Sequence, residues 1–261
     1  MSLITYVVLF IVGIVAGIVG GLLGTGGCAL MLPTVRFGFD FSAALAVGTT
    51  ITAVIFTAGA GAIKHIRMGN VDKSTALWVG IFGVIGVIVG SLVFGYLMPY
   101  GEVIDLIIGL AFIWTALRML YEGLFVKAPP GAEGKVVPGG GGGKGLLGTI
   151  IGFLTGIIGL GGGYALVPSF IYFFKSPVKI AIGTSMASFI SMAVVGSAFK
   201  MYQGVVNIPA AVIMGVGAAI GAVYGAGLVA KIKASTLKTL FGLLFLYVSL
   251  KYIFLFFGVH I

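Results

Sequence analysis

The sequence has few charged residues, and this scarcity excludes a soluble globular enzyme. Charged side chains make up 8% of the 261 residues, whereas hydrophobic side chains make up 60%. The mean hydropathy is +1.24. Soluble domains carry roughly 25% charged residues. The composition therefore predicts an all-α polytopic membrane protein in contact with the lipid bilayer.

Residues that bind metals or form disulfides are equally scarce. One cysteine and two histidines are too few for a disulfide framework or for a Cys- or His-ligated metal centre. The six carboxylates lie near predicted helix ends or in loops, whereas proton and cation transporters usually keep an acid within the membrane. No Ser/His/Asp constellation is present either. We expect no metal, no cofactor and no catalytic site.

The net charge of +9 comes from 15 Lys and Arg against 6 Asp and Glu. In a soluble protein this balance would suggest nucleic acid as a partner. Here the basic residues lie mainly between apolar runs, where membrane topology and anionic headgroups explain them. We expect no nucleic-acid partner.

Apolar segments follow one another along most of the chain, and a crossing helix needs about 20 such residues. They lie at roughly 3–37, 42–63, 74–98, 103–124, 145–174, 178–199, 208–230 and 237–258. Residues 126–144, between the fourth and fifth segments, are rich in Pro, Gly and charge, which predicts a flexible linker. The predicted organisation is a first transmembrane repeat (1–125), the linker (126–144) and a second transmembrane repeat (145–261).

The two halves are copies of each other at a constant offset of 135 residues. An ungapped alignment of residues 13–97 with the second half gives about 21 identities in 85 positions. Residues 24–33 correspond to 159–168, and residues 48–50 correspond to 183–185. Internal duplication of this kind is typical of transporters.

The first segment of each half is interrupted by a glycine-rich stretch. As one helix, residues 3–37 would reach about 52 Å, against a hydrocarbon core of about 30 Å. The pieces on either side of the glycines are short for a crossing. We therefore expect a re-entrant or broken helical hairpin in each half, with its glycine tip near the midplane, followed by three transmembrane helices. Later glycines predict packing faces in the third helix of each half: Gly80, Gly86, Gly90, Gly217, Gly221 and Gly225.

The distribution of Lys and Arg favours this topology. Eight simple crossings would divide the basic residues 9 to 6 between the two sides, whereas two returning hairpins divide them 12 to 3. The second division is the one that the positive-inside rule expects. It predicts inverted-topology repeats in the cell membrane, with a cytoplasmic linker and both termini outside. Ten full spans would give the same parity, and only the short pieces favour hairpins.

The glycine tips are the first candidate binding residues. A short helix is predicted to begin after each tip, and two helix N-termini that face each other can bind an anion. The glycines could instead serve only for tight packing. Cys28 lies at the first tip and is either a contact for a sulfur substrate or a small buried residue. The candidate residues are Gly26, Gly27, Cys28, Gly161, Gly162 and Gly163.

Hydroxyl groups follow each tip within the second helix of the half. Such hydroxyls can donate hydrogen bonds to an oxyanion, although Ser and Thr also commonly join membrane helices. These candidates are Thr49, Thr50, Thr184 and Ser185.

Basic residues follow at the end of the same helices. They could draw an anion to a pore mouth, and the histidine among them could carry a proton. They could also act only as topology anchors. These candidates are Lys64, His65, Arg67 and Lys200.

The sequence resembles the sulfite exporter TauE/SafE family. The resemblance rests on GIVGGLLGTGGCALMLP (17–33) and GFLTGIIGLGGGYALVP (152–168), each followed by a Gly-Thr-Thr/Ser stretch. It covers nearly the whole chain except the linker. It implies a multi-pass transporter linked to export of sulfite and organosulfonates such as sulfoacetate. It also implies a substrate site between the hairpins, lined by the glycines and hydroxyls named above. The family's usual triple glycine is interrupted here by Cys28.

We expect a secondary transporter that exports a small sulfur-containing oxyanion by alternating access. No ATPase motif is present, so transport would be secondary or passive. Two alternatives stay open: a transporter or channel for another small solute or a cation, and a non-transporting membrane scaffold.

Overall fold

The computed structural model describes residues 3–125, 134–229 and 234–257. These residues form helices joined by short loops. The helices are α1 (Leu3–Leu23), α2 (Cys28–Pro33), α3 (Ala43–Arg67), α4 (Lys73–Leu97), α5 (Gly101–Leu124), α6 (Gly141–Ile158), α7 (Gly163–Tyr172), α8 (Val178–Tyr202), α9 (Ile208–Leu228) and α10 (Ala234–Phe256). A π-helical turn, Thr34–Gly38, continues α2. The prediction of an all-α membrane protein is confirmed, and helix bounds differ from the predicted segments by a few residues.

Seven helices in the described part of the chain are long and apolar enough to cross a membrane. They include both helices that precede the glycine turns, α1 with 21 residues and α6 with 18. The expectation that these pieces are too short was therefore wrong. Helix α6 begins at Gly141, within the predicted linker, because its first turns pack against α4. Gly141 lies against the Trp78 ring and Gly145 against the Phe82 ring.

The main contacts between helices join the two halves, and each has a symmetric counterpart. Helix α1 packs against α9, and its counterpart α6 packs against α4. Helices α3 and α8 pack against each other, as do α5 and α10. Along α3 and α8 the contacts run in opposite directions, since Gly61 meets Met186 whereas Ile51 meets Gly196. Helices at equivalent positions in the two halves therefore lie antiparallel across this interface.

Glycine allows α1 and α9 to touch backbone to backbone. A methyl group at Gly13, Gly17 or Gly21 would collide with the α9 main chain. The equivalent glycines of α6, at 148, 152 and 156, face the α4 main chain in the same way. Small residues at four-residue spacing permit this close approach in membrane helices. Contacts with α6 and α1 confirm the predicted packing faces of the third helices, α4 and α9, at Gly86, Gly90, Gly217, Gly221 and Gly225. Gly80 instead faces Ser191 of α8.

The second half of the predicted linker is anchored to the protein. Val137 is buried, and its N–H donates to the Asp72 carboxylate over 2.9 Å. The Lys144 ammonium donates to the Val137 carbonyl and to the Thr75 hydroxyl, at 2.7 and 2.8 Å. Residues 126–133, which carry the rest of the linker prediction, lie outside the described residues, as do residues 1–2 and 258–261 at the two termini.

Alanine at Gly17 should destabilise the protein by about 1–3 kcal/mol, because the helices cannot approach around an added methyl group. Alanine at Gly227 is the matched control, since nothing lies within 4 Å of that position. Thermal unfolding in detergent should show a lower Tm for Gly17→Ala alone. Equal Tm values for the two variants would contradict the backbone contact.

The Asp72 anchor should make stability depend on acid pH. Burial raises the pKa of Asp72, but hydrogen bonds from Thr75 and Val137 and the charge of Lys144 outweigh it, so the pKa lies below its ordinary value. Stability from this group is present above its unfolded pKa of about 3.9 and is lost as pH falls through the lower folded value. The Tm of Asp72→Asn should therefore fall less than that of the wild type between pH 5 and pH 3. An identical loss would exclude this role for Asp72.

Candidate functional site

Two glycine turns join the pieces of the broken helices. Gly24, Gly26 and Gly27 have φ values of 72°, 74° and 74°, and Gly159 and Gly161 have φ values of 66° and 63°. This left-handed region is costly for any residue with a side chain. The Gly-rich motif is therefore required by the backbone path of both turns.

The two turns touch each other where the halves meet. A methyl group at Gly163 would collide with the Gly24 carbonyl and with Thr25. The Cys28 thiol is fully buried and donates to the Thr25 carbonyl at 3.3 Å and to the Leu160 carbonyl. Cys28 is thus a small buried donor that links the turns.

Each turn also rests on the long helix of the opposite half. Gly24 lies against Ile182 of α8, and Gly159 lies against Val47 of α3. The Ser185 hydroxyl donates to the Gly24 carbonyl at 3.2 Å. A helix from the other half thus positions each turn.

Two apolar side chains close the space beside the turns. Val54 and Phe189 occupy equivalent positions in α3 and α8, and both pack against Gly26 and Gly161. Both side chains are fully buried. This conformation is therefore closed at the tips.

The predicted hydroxyls divide into two roles. The Thr49 hydroxyl accepts a hydrogen bond from the Asn207 N–H at 3.0 Å, and the Thr184 hydroxyl accepts one from the Asp72 N–H at 2.9 Å. Both groups hold a loop of the opposite half. The Thr50 hydroxyl, by contrast, is buried without a hydrogen-bond partner. Among these four residues, Thr50 is the one whose hydroxyl has no hydrogen-bond partner in the described structure.

Two of the predicted basic residues lie inside the protein rather than at a pore mouth. Lys200 is fully buried, donates to the Gly156 carbonyl at 2.8 Å and lies 3.3 Å from the centre of the Phe94 ring. His65, its counterpart in the first half, is fully buried with Nε2 3.4 Å from the Gly21 carbonyl. Basic groups at a helix C-terminus stabilise its free carbonyls. The mouth prediction was wrong for both, because each residue caps the helix that enters a glycine turn.

The other two basic candidates are more accessible. Lys64 is partly exposed and Arg67 is exposed at the end of α3. Neither contacts the glycine turns in the described structure. Lys64 and Arg67 can therefore interact with charged groups outside the protein, whereas the buried His65 and Lys200 cannot.

A small, mainly apolar cavity of about 40 Å³ adjoins the turns. It is lined in part by Thr25, Thr115, Glu122 and Tyr164. The Thr25 and Tyr164 hydroxyls are buried without partners, and the volume suffices for at least one water molecule. The Glu122 carboxylate is buried and accepts from Arg118 at 2.8 Å.

Sequence reasoning missed these cavity residues and one link between the long helices. It correctly placed Glu122 near a helix end, but nothing in its spacing indicated burial beside the turn. The Thr52 hydroxyl meets the Ser197 hydroxyl at 2.8 Å between α3 and α8. The recurrence of Thr along α3 is the sequence signal from which this contact could have been inferred.

The chain is similar to a known protein family and to membrane proteins of several microorganisms. The model of the family described as Sulfite exporter TauE/SafE matches residues 9–252. The probable membrane transporter protein YunE of Bacillus subtilis is 26% identical, over 89% of this chain and 92% of its own. The probable membrane transporter protein MJ0441 of Methanocaldococcus jannaschii is 28% identical, over 74% of each chain.

A further probable membrane transporter protein, from Xylella fastidiosa strain Temecula1, is 28% identical over 87% of each chain. No solved structure matches the chain.

Substitutions at Thr49 and Thr50 should separate the two hydroxyl roles. Thr49→Val leaves the Asn207 N–H without its acceptor and should cost about 1–3 kcal/mol of stability. Thr50→Val removes an unpaired buried hydroxyl of similar shape and should leave the Tm unchanged or raise it. Equal losses of Tm in detergent would contradict this division.

Proposed function

Because this chain belongs to the sulfite exporter TauE/SafE family, we propose that it exports a small sulfur-containing oxyanion, sulfite or an organosulfonate. The chain is a multi-pass membrane transporter and not an enzyme. The identity of the substrate, the direction of transport and the cell membrane as its location are parts of the proposal.

The contact between the two glycine turns is the observation that carries the proposal. It lies where the halves meet, and each turn is the start of a helix whose N-terminus favours negative charge. Gly163 begins α7, which has ten residues. The unpaired Thr50 hydroxyl adds a neutral donor. Neutral donors can replace the water of an oxyanion without holding it as tightly as a paired cation would.

Alternating access would require the closed centre to open. Val54 and Phe189 cover the turns in the present conformation, so a substrate can pass only if these side chains or the turns move. The antiparallel arrangement of α3 and α8 supports inverted-topology repeats, and such repeats can rock against each other around one site. The 12 to 3 division of basic residues supports a cytoplasmic linker and termini outside.

The membrane potential would suffice to drive export. An anion leaving a cell with an inside-negative potential gains about 2.3 kcal/mol per charge per 100 mV. A coupling ion is therefore not required by the energetics.

A second candidate function is transport of, or coupling to, a cation or proton. The buried Glu122 beside the glycine turns favours it, because a carboxylate within a transmembrane helix commonly marks an ion pathway. Pairing with Arg118 offsets the charge of Glu122, so we prefer the anion.

Flux into and out of proteoliposomes with an imposed potential tests the proposal. The solutes are sulfite, sulfate, thiosulfate, sulfoacetate, taurine and chloride. We expect saturable flux of one sulfur oxyanion that follows the sign of the potential. Thr50→Val should lower that flux about tenfold, since a hydrogen bond to a charged group contributes about 1.5–3 kcal/mol.

The Gly227→Ala variant serves as the control, because it alters an open position. Flux that is independent of potential, or no anion flux from folded protein, would contradict the proposal. Loss of flux in Glu122→Gln together with cation dependence would favour the second candidate.

A further inference from the structure

An apolar groove of about 620 Å³ opens between the end of α3, the start of α4 and the middle of α8. Its volume lies within the range of ligand pockets, roughly 300–1,000 Å³. Gly80, Ala187 and Ser191 are among the small residues that line it. Leu77 and Ile81, also in its lining, are 63% and 54% exposed on the outer face of α4. The groove therefore faces the lipid rather than the glycine turns.

The equivalent place in the other half is filled. At the offset of 135 residues, Gly80 corresponds to Gly215 and Ser191 to Phe56. The Phe56 ring lies directly against Gly215, whereas Gly80 faces only the Ser191 hydroxyl and a backbone carbonyl. The groove thus exists because serine stands where the other half has phenylalanine.

The open groove and the filled site also differ in charge. Lys73, at the start of α4, lines the groove and is exposed. The equivalent residue at the filled site is Ile208. The open groove therefore has a lysine at its end, whereas the filled site has an isoleucine at the equivalent position. The groove is apolar along its length and has an ammonium group at the end of a membrane helix. This combination matches the acyl chain and the anionic headgroup of a phospholipid.

We propose that this groove binds one acyl chain of an anionic phospholipid, with the Lys73 ammonium at its headgroup phosphate. Basic pockets between membrane helices bind anionic headgroups, and one Lys near the surface contributes enough for about a fivefold preference. The bound chain would lie along Gly80 between α4 and α8, where a phenylalanine ring lies in the other half. The proposal does not depend on the identity of the transported solute.

Native mass spectrometry of purified, delipidated protein tests the proposal with two probes of identical acyl chains, phosphatidylglycerol and phosphatidylcholine. The wild type should retain phosphatidylglycerol about fivefold better. Ser191→Phe, which copies the filled half, should lose one bound lipid. Ser191→Ala, which keeps the groove open, should retain it. Lys73→Ile, which copies Ile208, should bind both probes equally.

Three results would overturn the proposal. They are equal retention of both lipids by the wild type, an unchanged lipid count in folded Ser191→Phe, and an unchanged preference in Lys73→Ile. If Ser191→Phe does not fold, the Lys73→Ile result decides, since that side chain is exposed and its change leaves the packing intact. Transport activity enters none of these readouts, so failure here is distinct from failure of the proposed function.

Discussion

Main-chain contact between the two halves is the constraint on which the rest of the structure depends. Neither half packs its broken hairpin mainly against itself, because α1 lies on α9 and α6 lies on α4. Glycine at these crossings brings main chains together, and in lipid such packing replaces the hydrophobic force that drives soluble folds. The glycine turns meet between the halves as a consequence, since each is the end of a helix held by the opposite half.

The two halves share the same helix packing because they are copies of each other. Equivalent positions with different side chains show where the halves differ. His65 and Lys200 occupy equivalent positions and cap equivalent helices, although one is an imidazole and the other an ammonium. Asp72 and Asn207 cap α4 and α9 in the same way, but only Asp72 has a basic partner in Lys144. The described part of the linker is thereby held between the halves, by Asp72 of the first and Lys144 of the second.

Much of the fold could be predicted from the sequence because membrane helices are marked by composition and the repeat by its glycines. The helix bounds, the duplicated turns and the packing glycines follow from local pattern. The start of α6 and the burial of Lys200 did not, because each depends on a partner distant in the chain. Trp78 and Phe82 of α4 pack on the glycines that open α6, and Gly156 accepts from the Lys200 ammonium. Likewise, only the fold shows that Thr49 and Thr184 hold loops whereas Thr50 is unpaired.

A reversible crosslink between the turns tests most directly whether they must separate for transport. Leu160→Cys introduces a second thiol at the residue whose backbone carbonyl the Cys28 Sγ contacts. A protease site inserted within residues 126–133 lets a non-reducing gel report the crosslink between the halves. Oxidation should join the halves and abolish anion flux, and a reductant should restore both. Full flux through protein that is shown to be crosslinked would contradict transport between the turns.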